Sequence, residues 1–174
     1  MSKNTKTPCM RFKGFNDAWE QRKLGEVTQY ATSSLKIADC TDEGEFDLYD
    51  ANSVIGKTNF NVQTEDYITI IKDGSGVGTV RLLPKNTSFI GTMGAILAKN
   101  SEIEFIYALL QRFDFSQHIN GATIPHVYYS EYKQDIIYAP IRNEQRIIGK
   151  IFKQLDNLIT LHQRKFKDFH GGFL

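Results

Sequence analysis

The sequence has few of the residues that build disulfide frameworks, metal centres or membrane spans. Its 174 residues include two cysteines, Cys9 and Cys40, which form no CxxC pair and have no metal-ligand spacing. We therefore expect two reduced thiols. No apolar run approaches the roughly 18 to 20 residues that cross a bilayer, and the first residues lack the apolar segment of a signal peptide. These absences predict a cytoplasmic protein without a membrane partner.

Catalytic motifs are also scarce. No two of the four prolines are adjacent, which excludes the Pro-Pro dipeptide of adenine methyltransferase active sites. Three glycines, Gly74, Gly76 and Gly78, lie close together, but the Gly-Lys of a P-loop does not follow them. They lead into a run of β-type residues rather than into a helix, so they predict a tight turn between strands.

Metal chemistry has one candidate set. Asp114, Glu131 and Lys133 imitate the acids and the lysine of a metal-dependent nuclease, a pattern that arises by chance in many charged chains. The four histidines have neither i, i+4 spacing nor cysteine companions. The sequence therefore predicts no catalytic residue, no metal site and no cofactor, and a small metal nuclease stays an alternative.

The net charge of +1 argues against a strongly basic nucleic-acid binder, but the charges are unevenly distributed. Residues 36–50 contain six acids and one lysine, whereas residues 142–167 contain seven Lys or Arg and two acids. Such a chain can present a positive face while it is nearly neutral overall. Basic residues near a helix end also complement the helix dipole, and both interpretations stay open.

The middle of the chain predicts an α+β domain. Short β-branched and aromatic runs, separated by Gly, Asn and Asp, occupy residues 46–50, 67–71, 77–83, 88–91 and 94–98. This spacing is typical of a mostly antiparallel sheet or half-barrel. Ser101 and Glu104 then form a capping-box pattern before apolar residues at helical spacing, which predicts a packed helix over residues 102–113.

The C-terminal run predicts one long helix over residues 141–169. Asn143 is the candidate N-cap residue. A seam at alternating spacings of three and four residues then follows, made of Ile148, Ile151, Leu155, Leu158 and His162. Such a seam either lies on the protein's own core or pairs with another long helix. Residues 1–14 are expected to be a flexible lead, and residues 170–174 a tail that begins where glycines end the helix.

Four separated segments of the chain resemble the specificity subunits of type I restriction-modification systems. They are residues 19–25, the glycine-containing residues 72–78, residues 121–126, and residues 144–165 of the predicted helix. The resemblance covers nearly the whole chain. It implies a DNA target recognition domain over residues 15–140 and a conserved spacer helix over residues 141–169. A full subunit of that family has two of each, so this chain resembles a half-size or truncated subunit.

The resemblance implies a non-catalytic protein that binds one half of a bipartite double-stranded DNA target. It also implies docking onto methyltransferase and restriction subunits, and pairing of the helix with a second copy or with another half-subunit. The main alternative is a regulator or decoy that occupies the methyltransferase subunit through the helix and does not touch DNA.

Loop residues of two kinds are candidates for DNA contact in such a domain. Basic side chains would neutralise phosphates, and polar or aromatic side chains would contact base edges or stack. The basic candidates are Lys57, Lys72, Arg81 and Lys85. The polar and aromatic candidates are Asn52, Ser75, Thr92, Asn120, Thr123, His126, Tyr128 and Tyr129.

Overall fold

The computed structural model describes the backbone of residues 5–171 and the side chains of residues 6–165. The elements are, in chain order, β1 Thr5–Lys6, β2 Trp19–Lys23, α1 Leu24–Val27, β3 Thr28–Thr32, β4 Phe46–Tyr49, β5 Val54–Thr58, β6 Tyr67–Ile71, β7 Val80–Leu83, β8 Thr87–Phe89, β9 Met93–Ala98, α2 Ile103–Leu110, β10 Ile119–Asn120, β11 His126–Val127, α3 Tyr129–Tyr132, β12 Ile136–Ala139 and α4 Arg142–Gly171. This architecture confirms the predicted α+β class and its long C-terminal helix.

A four-stranded antiparallel sheet of order β3-β9-β6-β7 forms the centre of the domain. Because side chains alternate along a strand, β6 and β9 each supply two faces. Ile68, Ile70 and Ile96 are buried on one face, and Tyr67 and Met93 are buried on the other. The sheet is therefore covered on both sides, which explains why these strands contain nearly continuous apolar residues.

Helix α2 covers one face of the central sheet, and a second sheet of order β5-β4-β8 belongs to the core on the other face. Each of the five predicted strand runs is confirmed by a strand that overlaps it, and β8 and β9 begin one residue before the predicted runs. Strands β4 and β8 pair in parallel, which is an exception to the antiparallel pattern. A third sheet, of order β1-β2-β12, joins the two ends of the domain.

The predicted helix over residues 102–113 is confirmed as α2, but its predicted cap is wrong. The hydroxyl of Ser101 is buried and makes no hydrogen bond, and the N-cap residue is Glu102. The backbone N–H of Glu102 donates instead to the side-chain oxygen of Gln145 in α4, at 3.1 Å. A side chain more than forty residues away thus satisfies the backbone donor of the N-cap residue itself.

Helix α4 begins at Arg142, so Asn143 lies inside its first turn rather than at its cap. Its first half packs on α2. Gly149 permits this contact, because a Cβ atom there would lie 2.7 Å from Glu104 Cβ and from the backbone N of Phe105. Arg142 Nε donates to Glu102 Oε1 at 2.7 Å, and this hydrogen bond holds the pKa of Glu102 below its usual value.

Residues 5–14 are attached to the domain at two points, which differs from the flexible lead predicted for residues 1–14. Strand β1 pairs with β2, and the Arg11 guanidinium donates to both carboxylate oxygens of Glu144 at 2.8 and 2.7 Å. The side chains are 11% and 1% exposed, so the pair is largely buried. The pair links the start of the chain to the first turn of α4. Residues 1–4 lie outside the described part.

At the other end of the chain, α4 continues two residues past the predicted boundary at residue 169. The backbone of residues 170 and 171, predicted as tail, is helical, and residues 172–174 lie outside the described range. Within that range no helix combines the length and the apolar character needed to cross a membrane.

Candidate nucleic-acid interface

Backbone hydrogen bonds join three loops into one surface. Lys72 N donates to Thr92 O at 3.0 Å, Gly74 N donates to Pro125 O at 2.8 Å, and Val127 N donates to Lys72 O at 2.9 Å. We call this surface, made of residues 72–79, 90–92 and 121–128, the loop face. It brings together six of the predicted DNA-contacting residues, namely Lys72, Ser75, Thr92, Thr123, His126 and Tyr128.

The glycines of the loop face form a turn between strands, as predicted, and not the start of a helix. Gly78 has a φ of +87°, and a Cβ atom there would lie 3.0 Å from Phe115 Cβ. Gly121 has a φ of +88°, and a Cβ atom there would collide with the carbonyl oxygen of Ile124. Any residue with a Cβ atom would be strained at both positions, so each of these two tight turns requires glycine.

The loop face carries little negative charge. Asp73 is the single acidic residue among residues 72–79, 90–92 and 121–128, in a chain with 20 acids. Lys72 Nζ lies 3.0 Å from Asp73 Oδ2, so the lysine and the acid neutralise each other. A polyanion can therefore approach this surface without strong repulsion, although Lys72 must leave Asp73 to contact a phosphate.

Several polar and aromatic tips of the loop face project into solvent. Ser75, Thr92 and Thr123 are exposed. The rings of His126 and Tyr128 contact each other with centroids 4.8 Å apart, and Tyr128 is 51% exposed. Hydroxyl, imidazole and phenol groups at one surface match the chemistry that contacts base edges and stacks on bases.

Two predicted residues near the loop face are already engaged in the fold. The Tyr129 ring stacks on Tyr30 at 4.7 Å, and its hydroxyl donates to the carbonyl oxygen of Thr28 at 3.1 Å. The Asn120 amide donates to Glu131 Oε2 at 3.1 Å. Tyr129 thus packs as part of the core rim, which makes it a poor candidate for stacking on a base.

The remaining four predicted residues lie outside the loop face. Arg81 donates to the backbone oxygen of Asn52 at 3.0 Å, and its guanidinium lies over the ring of Tyr49. Lys57 Nζ contacts Asp47 Oδ1 at 2.6 Å. Lys85 is exposed beside β7. The structure therefore brings six of the twelve predicted DNA-contacting residues together on the loop face and leaves the other six outside that group.

The nuclease-like residues have separate contacts. Asp114 accepts hydrogen bonds from Ser116, which lower its pKa, whereas Glu131 accepts from Asn120 and Lys133 lies over the ring of Tyr129. No cluster of three or more His, Cys, Asp or Glu suited to a metal ion occurs in the described part of the chain. Each of the three side chains is thus engaged with a different partner.

The predicted helix seam divides into two parts. Ile148 and Ile151 are partly buried, and Ile148 packs on the domain core. Leu155 and Leu158 are 48% and 54% exposed, and His162 is exposed as well. The seam therefore serves the protein's own core in its first half and leaves apolar side chains uncovered in its second half. Pairing with another helix stays a prediction.

Sequence analysis missed Ile124, the most prominent apolar side chain of the loop face. It is 64% exposed and lies between Thr123 and Pro125. An isoleucine in a turn between a glycine and a proline is the signal that could have identified it, because such positions usually carry polar residues.

Comparison with known proteins identifies relatives of this fold. A family model described as the type I restriction modification DNA specificity domain matches residues 16–168. That range includes the loop face and nearly all of α4. Among the curated proteins, no sequence matches the chain.

Three solved structures have the same fold. The S subunit of the type I restriction-modification system from M. genitalium is 22% identical and has a TM-score of 0.66, with 94% of this chain and 46% of that chain covered. A structure concerning complex assembly and conformational transition of the type I R-M system is 14% identical and has a TM-score of 0.69, with 97% of this chain and 45% of that chain covered. The HsdS subunit from Thermoanaerobacter tengcongensis is 14% identical and has a TM-score of 0.62, with 92% of this chain and 42% of that chain covered. The chain thus spans less than half of each of these proteins.

Proposed function

The chain belongs to the type I restriction modification DNA specificity domain family, and from this premise we propose that it recognises one half of a bipartite duplex target. The observation that best supports the proposal is the loop face. Three loops meet there, their exposed tips are polar or aromatic, and they contain one acidic residue, which is already paired with Lys72.

The proposed mechanism is binding without turnover. Phosphate contacts from basic side chains such as Lys72 fix the position of the domain on the duplex. The side chains of Thr123, His126 and Tyr128 then contact base edges in the major groove and discriminate among sequences. The chemistry of a restriction-modification system is supplied by other subunits in this proposal.

The second half of α4 is proposed to pair with another long helix. Leu155 and Leu158 leave apolar surface uncovered on a helix that extends beyond its own domain. A second copy, or another half-subunit, would cover this surface and present a second loop face at a fixed distance. Methyltransferase and restriction subunits are proposed to dock onto such a pair.

Selection of bound sequences from a random duplex pool tests the proposal. We expect enrichment of a defined half-site, and tighter binding of the selected duplex than of random duplex at two salt concentrations. Thr123→Val should change which sequence is enriched. Thr64→Val, at an exposed threonine outside the loop face, is the matched control and should leave the preference unchanged. Equal affinity for all duplexes would contradict the proposal.

A second candidate is supported by the exposed half of α4 alone. A regulator or decoy could bind the methyltransferase subunit through Leu155 and Leu158 without touching DNA. The same duplex titration separates the two candidates. The decoy predicts no duplex binding by the chain, alone or with the methyltransferase subunit, together with direct binding of that subunit.

A further inference from the structure

The tip of the β10–β11 hairpin presents an aliphatic side chain to solvent. Ile124 is 64% exposed, although burial of a side chain of this size is normally favourable. Its nearest neighbours along the chain are Thr123 and Pro125, and the hairpin stem next to it carries the His126 and Tyr128 rings. Ile124 is therefore the largest exposed aliphatic side chain of the loop face, with exposed Ala122 and partly exposed Pro125 beside it.

The position of Ile124 is fixed by several backbone contacts. Pro125 O accepts a hydrogen bond from Gly74 N at 2.8 Å, and His126 Nδ1 lies 3.3 Å from Ile124 O. Pairing of β10 with β11 closes the stem, with Ile119 opposite Val127. These contacts fix the backbone at Ile124 before any ligand is met, so binding there orders only the isoleucine side chain and not the loop.

We propose that Ile124 recognises a thymine by packing against its C5 methyl group in the major groove. This inference rests on the proposed function, because it assumes that the loop face meets duplex DNA. The thymine methyl is the apolar feature that a base pair offers in the major groove. Thr123, His126 and Tyr128 surround Ile124 and supply hydrogen-bonding groups for the neighbouring base edges.

The surroundings of Ile124 favour DNA over a protein partner as its ligand. The loop face has a single acid, Asp73, and that acid is paired with Lys72, so phosphates can approach. The exposed apolar surface at the tip is small, consisting of Ile124, Ala122 and part of Pro125, and polar Thr123 and His126 alternate with them along the chain, whereas protein interfaces have a larger contiguous apolar core.

Uracil substitution gives a direct test with duplexes selected by the chain. Each thymine of the selected half-site is replaced in turn by uracil, which removes only the methyl group. We expect one position at which the replacement lowers affinity roughly 3- to 10-fold, the size that burial of one methyl group gives. Ile124→Ser should still bind the duplex but should lose this thymine–uracil difference.

Two controls make the test specific. Ile37→Ser changes an equally exposed isoleucine outside the loop face and should keep the full thymine–uracil difference. Ile124→Ala should retain a reduced difference, and circular dichroism checks that each variant is folded.

The outcomes separate this inference from the function on which it rests. Selective duplex binding with no thymine–uracil difference at any position overturns the role of Ile124 and leaves DNA recognition intact. The same conclusion follows if Ile124→Ser keeps the difference, or if it weakens only binding of the methyltransferase subunit. Failure to select any duplex overturns both proposals.

Discussion

Lys72 and Asp73 lie side by side at the start of the glycine turn, with 3.0 Å between their charged atoms. For a DNA-binding loop face, we predict that Lys72→Ala weakens binding to random and selected duplexes alike. It should also reduce the slope of log affinity against log salt by about 1, since one phosphate contact is lost. Asp73→Asn should tighten binding, because it frees Lys72. Fluorescence anisotropy at several salt concentrations measures both effects.

The matched control for Lys72 is Lys36→Ala, at an exposed lysine outside the loop face. Its affinity and salt slope should equal those of the parent chain. If Lys72→Ala and Lys36→Ala behave alike, Lys72 contacts no phosphate. A loss at Lys72 that depends strongly on the duplex sequence would instead make it a base-contacting residue.

Arg11 and Glu144 form a buried ion pair between the start of the chain and α4. We predict that Arg11→Met lowers the urea midpoint of unfolding, because it leaves the Glu144 carboxylate buried without its partner. Arg11→Met combined with Glu144→Leu should recover much of the loss, since neither charge then remains. Circular dichroism during urea titration measures the midpoints. Equal midpoints for Arg11→Met and the parent would show that the pair does not hold α4.

At the scale of elements, the contact between α2 and α4 depends on Gly149. We predict that Gly149→Ala destabilises the protein by about 1–3 kcal/mol, although alanine is the better helix former. The new Cβ atom would meet Glu104 Cβ and the backbone of Phe105 at 2.7 Å, so the two helices must separate. Urea unfolding gives the free energy. Gln154→Ala, at an exposed position of the same helix, should not be destabilising. A Gly149→Ala variant as stable as the parent would contradict this packing.

The elements that the sequence predicted well are those with a regular pattern of their own. Strands β6 and β9 follow from β-branched runs between turn residues, and α4 follows from apolar spacing. Strand β1 has two residues and no pattern, so its pairing could not be predicted. The predicted cap of α2 is wrong because the N-cap residue is Glu102, whose backbone N–H donates to Gln145 in a distant part of the chain.

The same limit applies to the candidate site. Tyr128 and Tyr129 are adjacent and chemically identical, yet Tyr128 projects into solvent while Tyr129 stacks on Tyr30 and bonds to Thr28. Those partners lie about a hundred residues away, so no local signal distinguishes the two tyrosines. The composition of the loops was predictable, whereas the burial of each side chain depended on the tertiary structure.

At the scale of the whole molecule, the loop face and the exposed half of α4 are two surfaces of the described residues that the domain core leaves uncovered. The fold matches less than half of each of the three solved chains, and the described residues form one α+β domain with one long helix. The bipartite target that we propose would need two loop faces. Two copies joined through α4 are the simplest arrangement that supplies them, because a two-fold pair repeats the same contact on both sides.

We therefore predict that the chain sediments as a dimer at micromolar concentration and that Leu155→Ser with Leu158→Ser converts it to a monomer. Both leucines are about half exposed in a single chain, and a facing helix would cover them. Gln154→Ser with Asn157→Ser alters two exposed polar positions of the same turns and should keep the dimer. Because the loop face is unchanged, the leucine variant should still bind a single half-site while it loses the preference for two half-sites at fixed spacing. A parent chain that sediments as a monomer in the presence of a selected two-half-site duplex would exclude this arrangement.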